Sequence, residues 1–205
     1  MPAATTTSET TRSATKNLQQ LLDDRASSKD IAAHLDEMPP LERIREVLAV
    51  TGRGVKQLYD AVADAAPLSL EDFVKSDDKD TVIFEGRNSL PMFTRFQKRF
   101  ARSGDEVVGY NHQTMAFVTG PGYFVVKPPS GDGPHGAELF FDYTVRPRVI
   151  PAGWPEFKAN ERGLSRSVYM NMIDYVRRVA RGIVVGKAYK LGVDQKAYFS
   201  LSRAL

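Results

Sequence analysis

Four consecutive hydrogen-bonding side chains, Tyr110, Asn111, His112 and Gln113, precede a Gly-Pro-Gly turn within GYNHQTMAFVTGPGYFVVKP, residues 109–128. An imidazole there can act as a general base if a carboxylate orients it, and Asp142, on a nearby strand-like run, is the candidate partner. Strand alternation sets Tyr110 and His112 on one face and Asn111 and Gln113 on the other. Whichever face is buried then carries two polar groups in need of partners, and a pocket is one way to supply them. A hydrolase-like enzyme built on a His112–Asp142 pair is therefore one reading. The chain has no GxSxG and no cysteine to provide a recognisable nucleophile, so no catalytic residue is assigned.

His135 and Glu138 stand three apart, yet PHGAE reads as a loop entering a strand, so that spacing does not place them on one helix face. Asp174 is a further acid-base or metal candidate, but no third ligand of evident proximity completes a site, and neither a metal nor a cofactor is expected. In TGPGYF, proline at the second and glycine at the third position of a turn suit type II geometry, which explains all three residues without a ligand. The paired glycines of VTGRGVKQ lack the spacing and the Lys-Ser/Thr pair of a phosphate loop and read instead as a connector between two helices.

GRNSLPMFTRFQKRFARSG, residues 86–104, sets Arg87, Arg95, Lys98, Arg99 and Arg102 among Phe93, Phe96 and Phe100 without one acid. Phenylalanines three and four apart predict a helix over 89–102, with the rings on one face and the cations behind. Such a face would suit phosphates, although the rings have first claim on the core at about 1.5–3 kcal/mol each. SRSVYMNMIDYVRRVARG predicts a second helix over 165–181, its apolar face formed by Val168, Met172, Ile173, Val176 and Val179. Arg177 and Arg178 fall in its last turns, where the helix dipole favours cations. Arg87, Arg95, Lys98, Arg99, Arg177 and Arg178 are the anion-binding candidates. Tyr110, His112, Phe141, Tyr143 and Trp154 are the ligand-binding candidates, the indole suiting a half-buried pocket mouth.

The elements that must position these residues follow from periodicity. Residues 1–16 lack an apolar stretch and read as a disordered tail rather than a secretory signal. Across 17–80, Leu18, Leu21 and Leu22 give a short helical stripe, SSKDIAAHLDEM, PLERIREVLAV and VKQLYDAVADA give short amphipathic helices separated by proline and glycine, and LSLEDFVKSDDKD gives a last helical turn and an acidic loop. From 81 to 205, TVIFEG and runs rich in β-branched and aromatic residues read as strands, with KAYKLGVDQKAYF the clearest hairpin. Alternation along AELFFDYT puts Leu139, Phe141 and Tyr143 on one side and Phe140 and Asp142 on the other, with apolar residues on both, as in a strand covered on both faces.

Charge divides along the same boundary, with a net of −5 in residues 1–80 and +8 in 81–205. Either an acidic part packs beside a basic part within one molecule, or the basic part faces an anionic partner. The absence of cysteine excludes disulfides and thiolate chemistry and fits a cytoplasmic protein. No apolar run reaches the ~20 residues of a membrane-spanning helix.

The expected fold is α+β: a helical N-terminal region, then a curved, mainly antiparallel sheet of about five strands packed against two amphipathic helices. The leading function is a non-enzymatic binding module that takes an apolar or anionic small ligand in a pocket between sheet and helices. The alternative partner is nucleic acid, bound by the basic faces of the two predicted helices. Composition says nothing of oligomeric state.

Overall fold

In the computed structural model, residues 16–91, 94–112, 120–132, 135–157 and 169–204 are described. Their β-branched and aromatic runs form eight antiparallel strands that close into a barrel. These are β1 (Val82–Asn88), β2 (Arg95–Ser103), β3 (Glu106–His112), β4 (Tyr123–Lys127), β5 (Leu139–Asp142), β6 (Met172–Ala180), β7 (Ile183–Lys190) and β8 (Val193–Arg203). Each strand pairs with the next, and β1 also pairs with β8, Phe84 lying opposite Arg203 and Asn88 opposite Phe199. Closure leaves no edge strand among the eight described. The β7–β8 hairpin turns through Leu191 and Gly192, both at positive φ, as a two-residue loop requires.

Among the described residues four helices precede the barrel, where the periodicity places them: α1 (Leu18–Asp23), α2 (Ser28–Glu37), α3 (Pro40–Ala49) and α4 (Arg53–Ala61). Asn17 and Ser27 cap the first two through their side chains. Leu18, Leu22, Ile31, Leu35 and Leu58 bury one face of this group against Val179, Ile183, Val185 and Tyr198 on the outside of β6, β7 and β8.

The closed barrel overturns the expected α+β fold with its five-stranded open sheet and two covering helices. Both segments predicted as long helices contain strands. In 89–102 the deciding residues are Phe96 and Phe100: a spacing of four satisfies a helix face and equally a strand face, and the structure takes the second. Phe93 lies outside the described residues. In 165–181 the mixed spacing arises because β6 is covered twice. Met172, Asp174, Val176 and Arg178 face the barrel axis, while Val179 packs under the helices.

The interior of an eight-stranded barrel is just wide enough for side chains to fill or for one small ligand. Phe84, Phe100, Phe124, Phe141 and Leu201 line it here. Three glycines make room for large rings, each directly opposite a phenylalanine in the register: Gly86 and Phe96, Gly109 and Phe124, Gly186 and Phe199. A Cβ on these glycines would stand 2.7, 2.4 and 2.2 Å from the partner ring. The rings thus lie across bare backbone, and a methyl beneath one would cost about 1–3 kcal/mol in displaced packing.

One end of the barrel is stoppered by the chain itself. After α4, a 3-10 turn (Leu70–Asp72) delivers Phe73, fully buried, to the rings of Phe84, Phe100 and Phe141 at 5.7, 5.2 and 5.3 Å. Around it, the inward-facing arginines at the ends of β2, β6 and β8 meet acids of this segment. Arg102 pairs with Glu71 at 2.7 Å, Arg178 with Asp72 at 2.6 Å and Arg203 with Asp78 at 2.9 Å. The acidic first part and the basic second part therefore meet through ion pairs within the molecule.

Asp72 makes this closure acid-sensitive. Burial alone would raise its carboxyl, but the bonds from Arg178 and Ser69 outweigh it and hold the group below its ordinary value of 3.8. A depressed folded value contributes stability that is present above the unfolded value and lost as pH falls through the folded one. The wild-type chain should therefore lose unfolding free energy more steeply than Asp72→Asn as pH is lowered below about 4. Denaturant titrations of the two proteins across that range check this, and parallel curves would remove Asp72 from the acid response.

Candidate functional site

Alternation within β2 turns Phe96, Lys98 and Phe100 toward the axis and Arg95, Gln97 and Arg99 outward. Lys98 is consequently an interior lysine, with its side chain only 3% exposed. Its Nζ donates to Asn111 Oδ1 of β3 at 2.8 Å, to Asp174 Oδ2 of β6 at 3.2 Å and to the hydroxyl of Tyr143, just beyond β5. Tyr143 in turn donates to Asp174 Oδ2 at 3.1 Å, and Asn111 Nδ2 donates to the Tyr143 oxygen at 3.2 Å. All three ammonium protons thus have acceptors.

Ring faces wall this cluster. The rings of Phe124, Phe199, Tyr143, Phe141 and Phe96 have their centroids 4.9 to 5.7 Å from Nζ, an aromatic box around one cation. Tyr169 stacks on Tyr143 with ring planes 6° apart. Phe141 touches both this cluster and Phe73, whereas Phe96 and Met172 are only partly buried.

Removal from water dominates the electrostatics. Burial pushes the Lys98 ammonium down from its ordinary value, against the attraction of Asp174. It pushes the Asp174 carboxyl up, against Lys98 and Tyr143, and the Tyr143 phenol well up. Burial thus opposes the charge on each group, while the attraction between Lys98 and Asp174 favours the ion pair.

The two candidate lists from the sequence partly merge here. Lys98, from the anion-binding list, meets Phe141 and Tyr143, from the ligand-binding list. Tyr110, His112 and Trp154 lie across the barrel wall on its outer face, where Tyr110 packs 4.7 Å from Trp154 and 6.3 Å from His112. His112 is held below its ordinary pKa by burial and by Arg99. The His112–Asp142 pair does not form: in the register Asp142 lies opposite Val125, Val125 opposite Val108, and His112 four residues further along β3. Strand geometry separates them by roughly 16 Å, and Asp142 accepts instead from Thr144.

The basic faces needed by the nucleic-acid alternative do not form either. Lys98 points inward while Arg95 and Arg99 point outward, and Arg177 and Arg178 occupy opposite faces of β6. Arg177 is held by Glu138 at 3.0 Å, and Arg178 by Asp72. Arg87 lies opposite Arg95 in the register and donates to the Leu48 carbonyl. His135 and Glu138 do meet, at 3.0 Å, but Glu138 also accepts from Tyr59 and Arg177, and it serves as the hub of the contact between α4 and the barrel.

Sequence reasoning missed the inward turn of Lys98. The signal available was Phe-x-Lys-x-Phe over residues 96–100, which in a strand puts the lysine between two phenylalanines on one face.

By its architecture the chain is a closed antiparallel barrel with an apolar interior and a buried polar cluster around Lys98. No family model, no curated protein and no solved structure matches it. No helix among the described residues is long and apolar enough to cross a membrane. The outward positions of β1 and β2 carry Glu85, Arg87, Arg95, Gln97 and Arg99, where a lipid-facing strand would place apolar side chains.

Proposed function

We propose that this protein is a non-enzymatic binding module for a small ligand with an apolar body and one polar or anionic end. The ligand enters the barrel at the end opposite Phe73 and sets its polar end on Lys98, Asn111 and Tyr143. The carrying observation is the buried Lys98–Asp174 pair within a ring-lined interior. Apolar side chains of the same volume would be as stable or more stable there, so retention of the charges points to a use for them. Eight-stranded barrels such as lipocalins and streptavidin hold one small ligand inside, an analogy of architecture that supports the reading. The pocket thereby moves from between sheet and helices, where leucine and valine side chains fill the interface, to the barrel axis.

Anilinonaphthalene sulfonate, an apolar body with an anionic end, provides the test. Its fluorescence titration should show saturable binding to the native chain. Lys98→Met/Asp174→Asn, which removes the charges together, should bind at least about tenfold more weakly, the value of one charge-assisted hydrogen bond. Absence of saturable binding, or equal affinity of the two proteins, would overturn the proposal.

A further inference from the structure

We propose that Lys98 captures carbonyl compounds covalently, its ε-amine condensing with an aldehyde of apolar body to form an imine inside the barrel. This rests on the reading of the barrel as a ligand-binding module and deepens it to a chemical class of ligand.

Imine formation needs an unprotonated amine, a group that can give a proton to oxygen and later take one from nitrogen, and a site that excludes the water that would reverse it. The cluster supplies the amine, the proton carrier and the dry walls. The amine sits where burial disfavours its charged form. Asp174 Oδ2 at 3.2 Å and the Tyr143 hydroxyl stand within reach of anything bonded to Nζ. The rings of Phe124, Phe141 and Phe199 exclude water from the nitrogen.

The chemistry balances without an oxidant or a metal. The nitrogen lone pair forms the C–N bond at the carbonyl carbon, and the carbonyl oxygen takes a proton from the Asp174 carboxyl. The attacking nitrogen returns a proton to Asp174, leaving a neutral carbinolamine. Asp174 then protonates the departing hydroxyl, the C–O bond breaks, and water leaves as the C=N bond forms. The resulting iminium and the Asp174 carboxylate make an ion pair in place of the ammonium pair. One aldehyde and one amine become one imine and one water.

Lys98 is also the only lysine that the described residues place wholly within the apolar interior; Lys16 and Lys56, by contrast, are exposed. Trapping can therefore be read by position. The full native chain would be incubated with limiting trans-cinnamaldehyde and sodium cyanoborohydride near neutral pH, then digested and mapped by mass spectrometry. The reduced adduct should fall on Lys98 at least about tenfold more than on Lys16 or Lys56, because Asp174 and Tyr143 stand beside its amine to carry the protons. That preference should vanish when the chain is labelled in concentrated urea. Asp174→Asn should slow labelling of Lys98 by about 100-fold, the scale of a lost general acid, while labelling of Lys56 keeps its rate.

Adducts confined to exposed lysines in the native chain would overturn the inference. Cinnamyl alcohol, of the same shape without the carbonyl, separates the two proposals. If the alcohol displaces anilinonaphthalene sulfonate while Lys98 stays unmodified by the aldehyde, imine capture fails and the binding module stands. If neither compound displaces the dye and Lys98 stays unmodified, both fail.

Discussion

Lys98→Met alone will lower the unfolding free energy by about 3–5 kcal/mol, whereas Lys98→Met/Asp174→Asn will recover most of that loss. The single variant leaves Asp174, only 3% exposed at its side chain, without its cation in an interior of rings. The double variant removes both charges and keeps side chains of similar volume, so desolvation no longer opposes folding. Burial already holds the Asp174 carboxyl above its ordinary value. A raised folded value contributes stability that is present below the unfolded value and fades as pH rises through the folded one. The deficit of Lys98→Met should therefore shrink on acidification, as Asp174 takes up a proton and becomes a donor. Denaturant unfolding of the three proteins at neutral and mildly acidic pH measures this directly. A single variant as stable as the wild type would mean that Lys98 is not buried against Asp174 at all.

Phe73→Ala carries the second large effect, a loss of about 3–5 kcal/mol. The ring is fully buried and touches three interior phenylalanines, so its removal deletes transfer energy and leaves a void between Phe84, Phe100 and Phe141 that their strands cannot collapse to fill. Because the ring comes from the segment before β1, the loss would show that the N-terminal region and the barrel share one core. Equilibrium unfolding should remain a single transition with a lower midpoint. A change under about 1 kcal/mol, typical of a surface site, would place Phe73 outside the barrel.

The helices α1 to α4 were legible in the sequence because local signals define them: a capping serine at Ser27, proline at the first turn of Pro40–Ala49, and apolar residues at three and four. The strands from β3 onward were legible in their runs of Val, Phe and Tyr, except β6. Closure was not legible, since it depends on β1 meeting β8, a pairing across more than half the chain that no local pattern encodes. β2 and β6 were misread for one physical cause, namely that residues four apart share a face in both kinds of backbone. The error carried into the site. A helix would have left Lys98 on a solvated back, whereas a strand turns it to the axis beside Phe96 and Phe100. Phe141 and Tyr143 were placed on one face correctly, because alternation along that run admits one solution. Asp174 was recognised as a titratable candidate, but its partner lay on a strand 76 positions away in sequence.

The ladder between β1 and β8 also orders events during synthesis. Residues 84–88 leave the ribosome long before 199–203, and until the latter arrive β1 lacks one neighbour. The leucines of α1 and α2 wait as well, because the seat they occupy is made by β6, β7 and β8. A nascent chain halted before its last hairpin would thus expose greasy helices and a raw sheet margin together, the combination that chaperones engage and that drives aggregation.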